Sequence, residues 1–218
     1  MNEIKIISTR DGFNTVYSGE YNEHYHSING AAAESEHIYI NLGLKKFKNR
    51  QVNILEIGYG TGLNAILSYL ANEYLDNHIF YHAIDTVRLE NEIIREIGYG
   101  EKLNIKPEIF WRFYEEWNTE IKIDQKFILL KNNINLNDFN PDKEYNIIYF
   151  DAFSPETQPE MWEYKNLQRI ITRLDKGGIF VTYCSKGIVK QTLRDCGLDV
   201  KRVVGPAGKR HVIYAVKN

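Results

Sequence analysis

The segment from Val52 to Asn64 constrains this chain more than any other. An apolar run (Val52, Ile54, Leu55, Ile57) gives way to three glycines in five residues, Gly58, Gly60 and Gly62. Leu63 then opens a stretch with Ile66, Leu67 and Leu70 at helical spacing. That is a strand, a tight loop and a helix. Glycines let the backbone turn sharply and let a ligand come close to it. A short strand that is apolar at nearly every position is buried on both faces, as in a parallel sheet covered by helices.

The pattern continues along the chain. Strands are expected over residues 52–57, 79–84, 127–130, 145–150 and 178–184. Helices are expected over 63–70, 89–97, 107–117, 159–174 and 189–196. Residues 198–204 and 211–216 flank Gly205-Pro206-Ala207-Gly208. They are too close together for a crossover helix and should pair antiparallel. The expected fold is therefore α/β, a doubly wound Rossmann-like sheet, mostly parallel with a C-terminal antiparallel pair. Residues 1–47 read as a small N-terminal extension of short strands plus a helix over 30–47, and residues 48–218 as the main domain.

With 218 residues, 43% of them hydrophobic, the chain can bury a full core without crosslinks. Its two cysteines, Cys184 and Cys196, have no metal-ligand spacing. His24, His26 and His37 lack further ligands, so no metal is expected. The N-terminus lacks a basic region followed by an apolar stretch, and no apolar run nears the ~20 residues that span a bilayer. A cytoplasmic protein without membrane contact is expected. Net charge is −2, but residues 176–218 carry nine Lys and Arg against two acids, a balance of +7 on a body of −9. That block suits a polyanion; it equally suits solvated faces of the last helix and strands.

The glycine spacing narrows the ligand. A dinucleotide loop places its third glycine where Leu63 stands. Gly58-x-Gly60-x-Gly62, with Glu56 two residues before it, suits an S-adenosylmethionine loop. Asp85, closing the second strand, is placed to accept hydrogen bonds from ribose hydroxyls. A second constellation closes the fourth strand: Asp151, Phe153 and Pro155, then Pro159, Met161 and Trp162. An Asp there can orient an amine and favour loss of its proton. Phe153 can flank a flat base or a cationic donor, and Pro155 stiffens the loop. Trp162 can shape the base pocket or anchor its helix in the core. Tyr25 and Ser27 can close over the cofactor or pack on the surface.

At these motifs the chain resembles the methyltransferase half of the tRNA-modifying enzyme MnmC and its stand-alone form MnmD. The family's loop is matched from Glu56 to Asn64, bringing in Thr61 and Asn64. Its second motif is matched by Asp151, Phe153, Pro155, Pro159, Met161 and Trp162. Gly177-Gly178, Ser185, Gly187, the run from Gly205 to Arg210, and the entry segment from Tyr25 to Gly30 with Glu34 also match. The family tends to carry Gly-Asp after the third strand, the acid reading the adenine amino group. Here Asn133 stands in Lys131-Asn132-Asn133-Ile134 and can accept without adding charge.

The resemblance implies a class I methyltransferase sheet and S-adenosyl-L-methionine as cofactor. It implies methylation of the amine of 5-aminomethyl-2-thiouridine at the wobble position of the tRNA anticodon loop. Asp151 and Phe153 are the catalytic candidates. Glu56, Gly58, Gly60, Thr61, Gly62, Asn64, Asp85, Asn133 and Asp151 are the cofactor candidates. Phe153, Pro155 and Trp162 are candidates for the base, and Lys186, Lys190, Lys209 and Arg210 for phosphates. The flavin domain of the bifunctional form has no counterpart, so no flavin is expected. An amine methyltransferase acting on DNA or protein fits the same residues, as does a non-catalytic nucleotide- or RNA-binding module.

Overall fold

The computed structural model describes residues 4–218. Strands β1 (Ile4–Ser8), β2 (Asn14–Ser18) and β3 (Glu23–His24) form a small antiparallel sheet in that order. Helix α1 (Ala31–Ser35) runs on as a π-helical segment, Glu36–Asn41, in which the Leu42 N–H donates to the His37 carbonyl at 3.3 Å. The helix expected over 30–47 thus stops at Asn41. A separate 3₁₀ turn, Leu44–Lys46, follows Gly43. A Cβ at Gly43 would strike the Tyr39 carbonyl, so the chain can turn this tightly only at a glycine.

From there strands and helices alternate: β4 (Gln51–Ile57), α2 (Leu63–Leu75), β5 (His78–Asp85), α3 (Asn91–Ile97), α4 (Tyr99–Lys102), α5 (Pro107–Phe110), β6 (Glu120–Lys122), β7 (Phe127–Asn133), β8 (Tyr145–Phe150), α6 (Tyr164–Thr172), β9 (Leu174–Thr182), α7 (Gly187–Asp195), β10 (Leu198–Val204) and β11 (His211–Lys217). The strands make one eight-stranded sheet in the order β10-β11-β9-β8-β4-β5-β7-β6. Strands β9, β8, β4, β5 and β7 are parallel. Strand β11 runs antiparallel to β9 and pairs with β10, as expected for the C-terminal pair. The three-residue β6 adds an antiparallel edge on the far side.

The order places the site. The chain moves outward from β4 to β5 and β7, then returns to lay β8 on the other side of β4. Ligands in such sheets bind in the crevice opened at the carboxyl ends by that reversal. Both faces of β4 are buried: Val52 and Ile54 pack into one apolar cluster, Leu55 and Ile57 into the other. Val16, Ile38, Tyr39 and Ile40 of the N-terminal extension join the first cluster, so the extension shares the core of the main sheet.

Strand β7 carries the least expected core residue. Lys131 is fully buried, its ammonium 5.5 Å from the ring centroids of both Tyr59 and Trp117. It donates to the carbonyls of Phe113 (2.7 Å) and Glu115 (2.8 Å). These bonds tie the segment after α5 to the sheet. Burial, aided by nearby Arg88, pushes the Lys131 ammonium down to about 7 from an ordinary value of 10.5. Between those values the unfolded chain holds a proton that the folded chain has lost, so this residue makes stability rise with pH. Lys131→Met removes that slope. In thermal unfolding the wild type should gain at least about 3 °C on the variant between about pH 7 and pH 9.5. A gap that stays constant with pH would contradict the assignment.

Candidate active site

The glycine loop leaves β4 with positive φ at Gly58 (+91°), Gly60 (+52°) and Gly62 (+76°), a region that side chains disfavour. Space matters most at Gly58, where a Cβ would lie 2.6 Å from the Asp151 carbonyl oxygen. The loop is held from three sides. The Gly60 N–H donates to Asp85 Oδ2 at 2.8 Å. Tyr114 donates its hydroxyl to the Thr61 carbonyl at 2.8 Å, and the His26 imidazole hydrogen-bonds the Thr61 hydroxyl at 2.7 Å. Burial pushes His26 down to about 4, so it is neutral near pH 7.

Asp151 follows β8 directly across from this loop. Asn64, in the first turn of α2, donates to Asp151 Oδ2 at 2.8 Å and to Glu56 Oε1 at 2.9 Å. One amide group thus fastens two carboxyl groups. Glu56 is fully buried, and burial lifts its carboxyl well above the ordinary range, against the hydrogen bond from Asn64. Burial also raises Asp151, against the opposing hydrogen bond from Asn64 and the positive charge of Lys209. Asp151 is the carboxyl of the two that reaches the cavity wall.

The N-terminal extension roofs the site. Tyr21 stacks on Phe153 with ring centroids 4.6 Å apart, and Tyr25 meets the same ring edge-on at 5.2 Å. Glu23, on β3, accepts hydrogen bonds from the Ser154 N–H (3.1 Å), the Ser154 hydroxyl and the Thr157 hydroxyl (2.5 Å). Burial pushes the Glu23 carboxyl up, but these hydrogen bonds outweigh it and leave the group below its ordinary value. The Asp151–Trp162 loop is therefore clasped by residues more than 130 positions earlier in the chain.

These elements enclose a cavity of about 590 Å³, a size that suits a small ligand. Ile84, Val87, Ile134 and Leu136 line one end, beside Asp85. Asp85 accepts from Gly60 N–H and Val87 N–H (2.9 Å). Backbone groups of Thr86 and Tyr59 also help to hold this carboxyl group, whose ionised form burial disfavours. An apolar slot beside a carboxyl group suits a nucleoside.

A family model described as S-adenosyl-L-methionine-dependent methyltransferase matches residues 108–218, half of the chain. The chain belongs to that family. As a methyltransferase it has two informative kinds of relative. It is 28% identical to an uncharacterized protein of Methanocaldococcus jannaschii, over 98% of this chain and 59% of the other. It is 25% identical to the tRNA 5-methylaminomethyl-2-thiouridine biosynthesis bifunctional protein MnmC of Burkholderia mallei, over 95% of this chain and 34% of that one. The chain thus spans about a third of MnmC. Its fold is that of MnmC2 from Aquifex aeolicus (TM-score 0.79, 24% identity, 99% of this chain and 71% of that one). Spermidine synthase from Thermotoga maritima shares the fold more distantly (TM-score 0.62, 13% identity, 100% of this chain and 70% of that one).

The residues singled out from the sequence take different places. Gly58, Gly60, Asp85, Asp151, Phe153 and Lys209 line the cavity of the methyltransferase, as do Tyr25 and Ser27. Glu56, Thr61, Gly62 and Asn64 lie behind that wall and shape it. Asn133 is exposed and donates its side-chain amide to the Thr86 carbonyl at 3.4 Å; Ile134 and Asn135 reach the cavity instead. Trp162 is buried against Phe150 and donates its indole N–H to the Phe153 carbonyl at 2.8 Å, bracing the loop from behind. Pro155 lies in that loop outside the cavity lining. Lys186 pairs with Glu156 and Arg210 is exposed, while Lys190 is half-buried on α7. Lys209 turns inward and pairs with Glu34. Tyr21, Glu23 and Tyr183 also line the cavity and carry no motif that marks them in the sequence.

Glu23→Ala would leave three donors without their acceptor. Stability should fall by about 1–3 kcal/mol in urea unfolding at neutral pH. The loss relative to wild type should shrink as acid protonates Glu23 in the wild type, first through the ordinary carboxylate range and then through the lower folded value.

Proposed function

We propose that this methyltransferase transfers the methyl group of S-adenosylmethionine to the aminomethyl nitrogen of 5-aminomethyl-2-thiouridine at the tRNA wobble position. The observation that carries the proposal is the placement of Asp151. Its carboxylate stands on the cavity wall beside Phe153, is oriented by Asn64, and is raised by burial. Similarity to MnmC over 95% of the chain supports the acceptor. The match from Asp151 to Trp162 supports it as well.

The donor supplies a methyl group on a positively charged sulfur. In the proposed site Asp85 would hold the ribose hydroxyls, and the apolar slot at Ile134 and Leu136 would take the adenine. Gly58 and Gly60 allow the ligand to approach the backbone closely. A protonated amine has no lone pair, so the acceptor must lose a proton before it attacks. Asp151 holds the amine by accepting its N–H and takes up that proton, a task that its raised proton affinity assists. The Phe153 ring, fixed by Tyr21 and Tyr25, offers a flat face for the base. The roof excludes water and fixes the approach of nitrogen to methyl, which is the larger part of what such an enzyme must do.

A wobble base sits in a single-stranded loop and can be splayed into a cavity of this kind. Lys186, Lys190 and Arg210 remain as candidates for the phosphates that flank it.

The test uses purified enzyme, labelled S-adenosylmethionine and two tRNA preparations, one carrying and one lacking the aminomethyl group. Methyl transfer should occur only with the first. Asp151→Asn should lower turnover about 100-fold or more while donor affinity stays within a few-fold. Transfer to both tRNAs, or near-normal turnover by the variant, would contradict the proposal.

A further inference from the structure

The mechanism leaves one pair of charges without a task. Glu34 in α1 and Lys209 in the turn between β10 and β11 are 175 residues apart and form an ion pair on the cavity wall. Their side chains are only 9% and 27% exposed. Removing two charges from water this far is costly, and apolar side chains would fill the same space without that cost. The pair is nevertheless carefully held. Lys209 also lies 4.3 Å from the Tyr183 ring centroid. The turn that presents it is docked on the N-terminal extension: a Cβ at Gly208 would collide with Asn29, and the His37 ring hydrogen-bonds the Val204 carbonyl at 2.8 Å.

Position and charge together suggest what the pair is for. Along the carboxyl edge of the sheet the order is Asp85 at the end of β5, Gly58 after β4, Asp151 after β8 and Tyr183 after β9. With the nucleoside seated at Asp85, the rest of the donor extends across Gly58 toward Asp151. The wall beyond carries Glu34 and Lys209. Among the described residues lining the cavity, Lys209 is the only lysine or arginine. The neighbouring His26 is kept neutral by burial, and Glu23 is already occupied by Ser154 and Thr157.

We propose that Glu34 and Lys209 recognise the zwitterionic amino-acid end of S-adenosylmethionine, Lys209 taking its carboxylate and Glu34 its ammonium group. This rests on the cavity being the donor site. That end of the donor carries one charge of each sign on a single carbon atom. Laid against an ammonium–carboxylate pair, each charge finds an opposite partner. Before the donor arrives the two side chains satisfy one another, so neither is left buried and alone. The pair then selects a donor that keeps its amino-acid end over nucleosides that lack it.

Calorimetric binding of two nucleosides separates the possibilities. S-Adenosylhomocysteine keeps the amino-acid end, and 5′-methylthioadenosine lacks it. Lys209→Met should weaken S-adenosylhomocysteine about 10- to 100-fold and leave methylthioadenosine within about threefold of wild type. The double variant Lys209→Met, Glu34→Gln removes both charges at once, so no buried charge is stranded, and it should show the same selective loss. Wild-type affinity for S-adenosylhomocysteine in both variants would overturn the proposal. An equal loss for both nucleosides would also overturn it, pointing to a purely structural pair. Wild-type protein that binds neither nucleoside would instead overturn the assignment of the cavity as the donor site, and this proposal with it.

Discussion

The backbone of Gly58 lies so close to that of Asp151 that even a methyl group would not fit between them. Everything in the site depends on that approach. It brings the end of β4 against the end of β8 at the place where the sheet reverses its order. Asn64 then reaches from the first turn of α2 to bond Glu56 and Asp151 together. Glu56 contributes from behind the wall: its buried carboxyl group fixes the amide that orients Asp151. The acidic residue before the glycines is therefore linked to Asp151 on the cavity wall through Asn64.

The extension contributes as much as the sheet does. By itself the sheet would leave an open crevice at its carboxyl edge. Tyr21, Glu23 and Tyr25 close it over Phe153, and His26 fixes the glycine loop through Thr61. The roof and the loop beneath it are joined mostly by hydrogen bonds to neutral or part-buried groups. Such contacts depend on geometry more than on ionic strength. The surface basic residues differ, since exposed pairs such as Lys186–Glu156 contribute little to stability and respond to salt.

Much of the fold was legible because buried parallel strands are nearly continuous apolar runs, as in β4, β5 and β8. The boundaries that differ have physical causes. Strand β7 was expected to end before Lys131, since a lysine reads as the end of a buried strand. The strand continues because two carbonyls and two aromatic rings satisfy that ammonium. Strand β9 begins at Leu174 rather than at Gly178, because Leu174 already pairs with Tyr145 of β8; residues 175–178 then bulge out, with Gly177 at positive φ, before pairing resumes at Ile147 and Ile179. The helix expected over 159–174 divides into a 3₁₀ turn, Pro159–Trp162, and α6, where Glu163 takes an extended conformation and Trp162 turns back to Phe153. Strand β6 has three residues on an edge and leaves no periodicity to read. In the site, Gly58, Asp85 and Asp151 could be picked out because each sits at a strand end with a local motif. Glu23, Tyr21 and the inward turn of Lys209 could not, because each depends on segments far apart in sequence that only the fold brings together.

The proposed acceptor is the aminomethyl nitrogen of a modified wobble uridine. Nucleoside mass spectrometry of tRNA from cells lacking this protein tests it most directly. Without the protein, 5-aminomethyl-2-thiouridine should accumulate and its N-methylated product should disappear; the wild-type protein should restore the product while Asp151→Asn does not. An unchanged ratio of the two nucleosides in the deletion strain would contradict it.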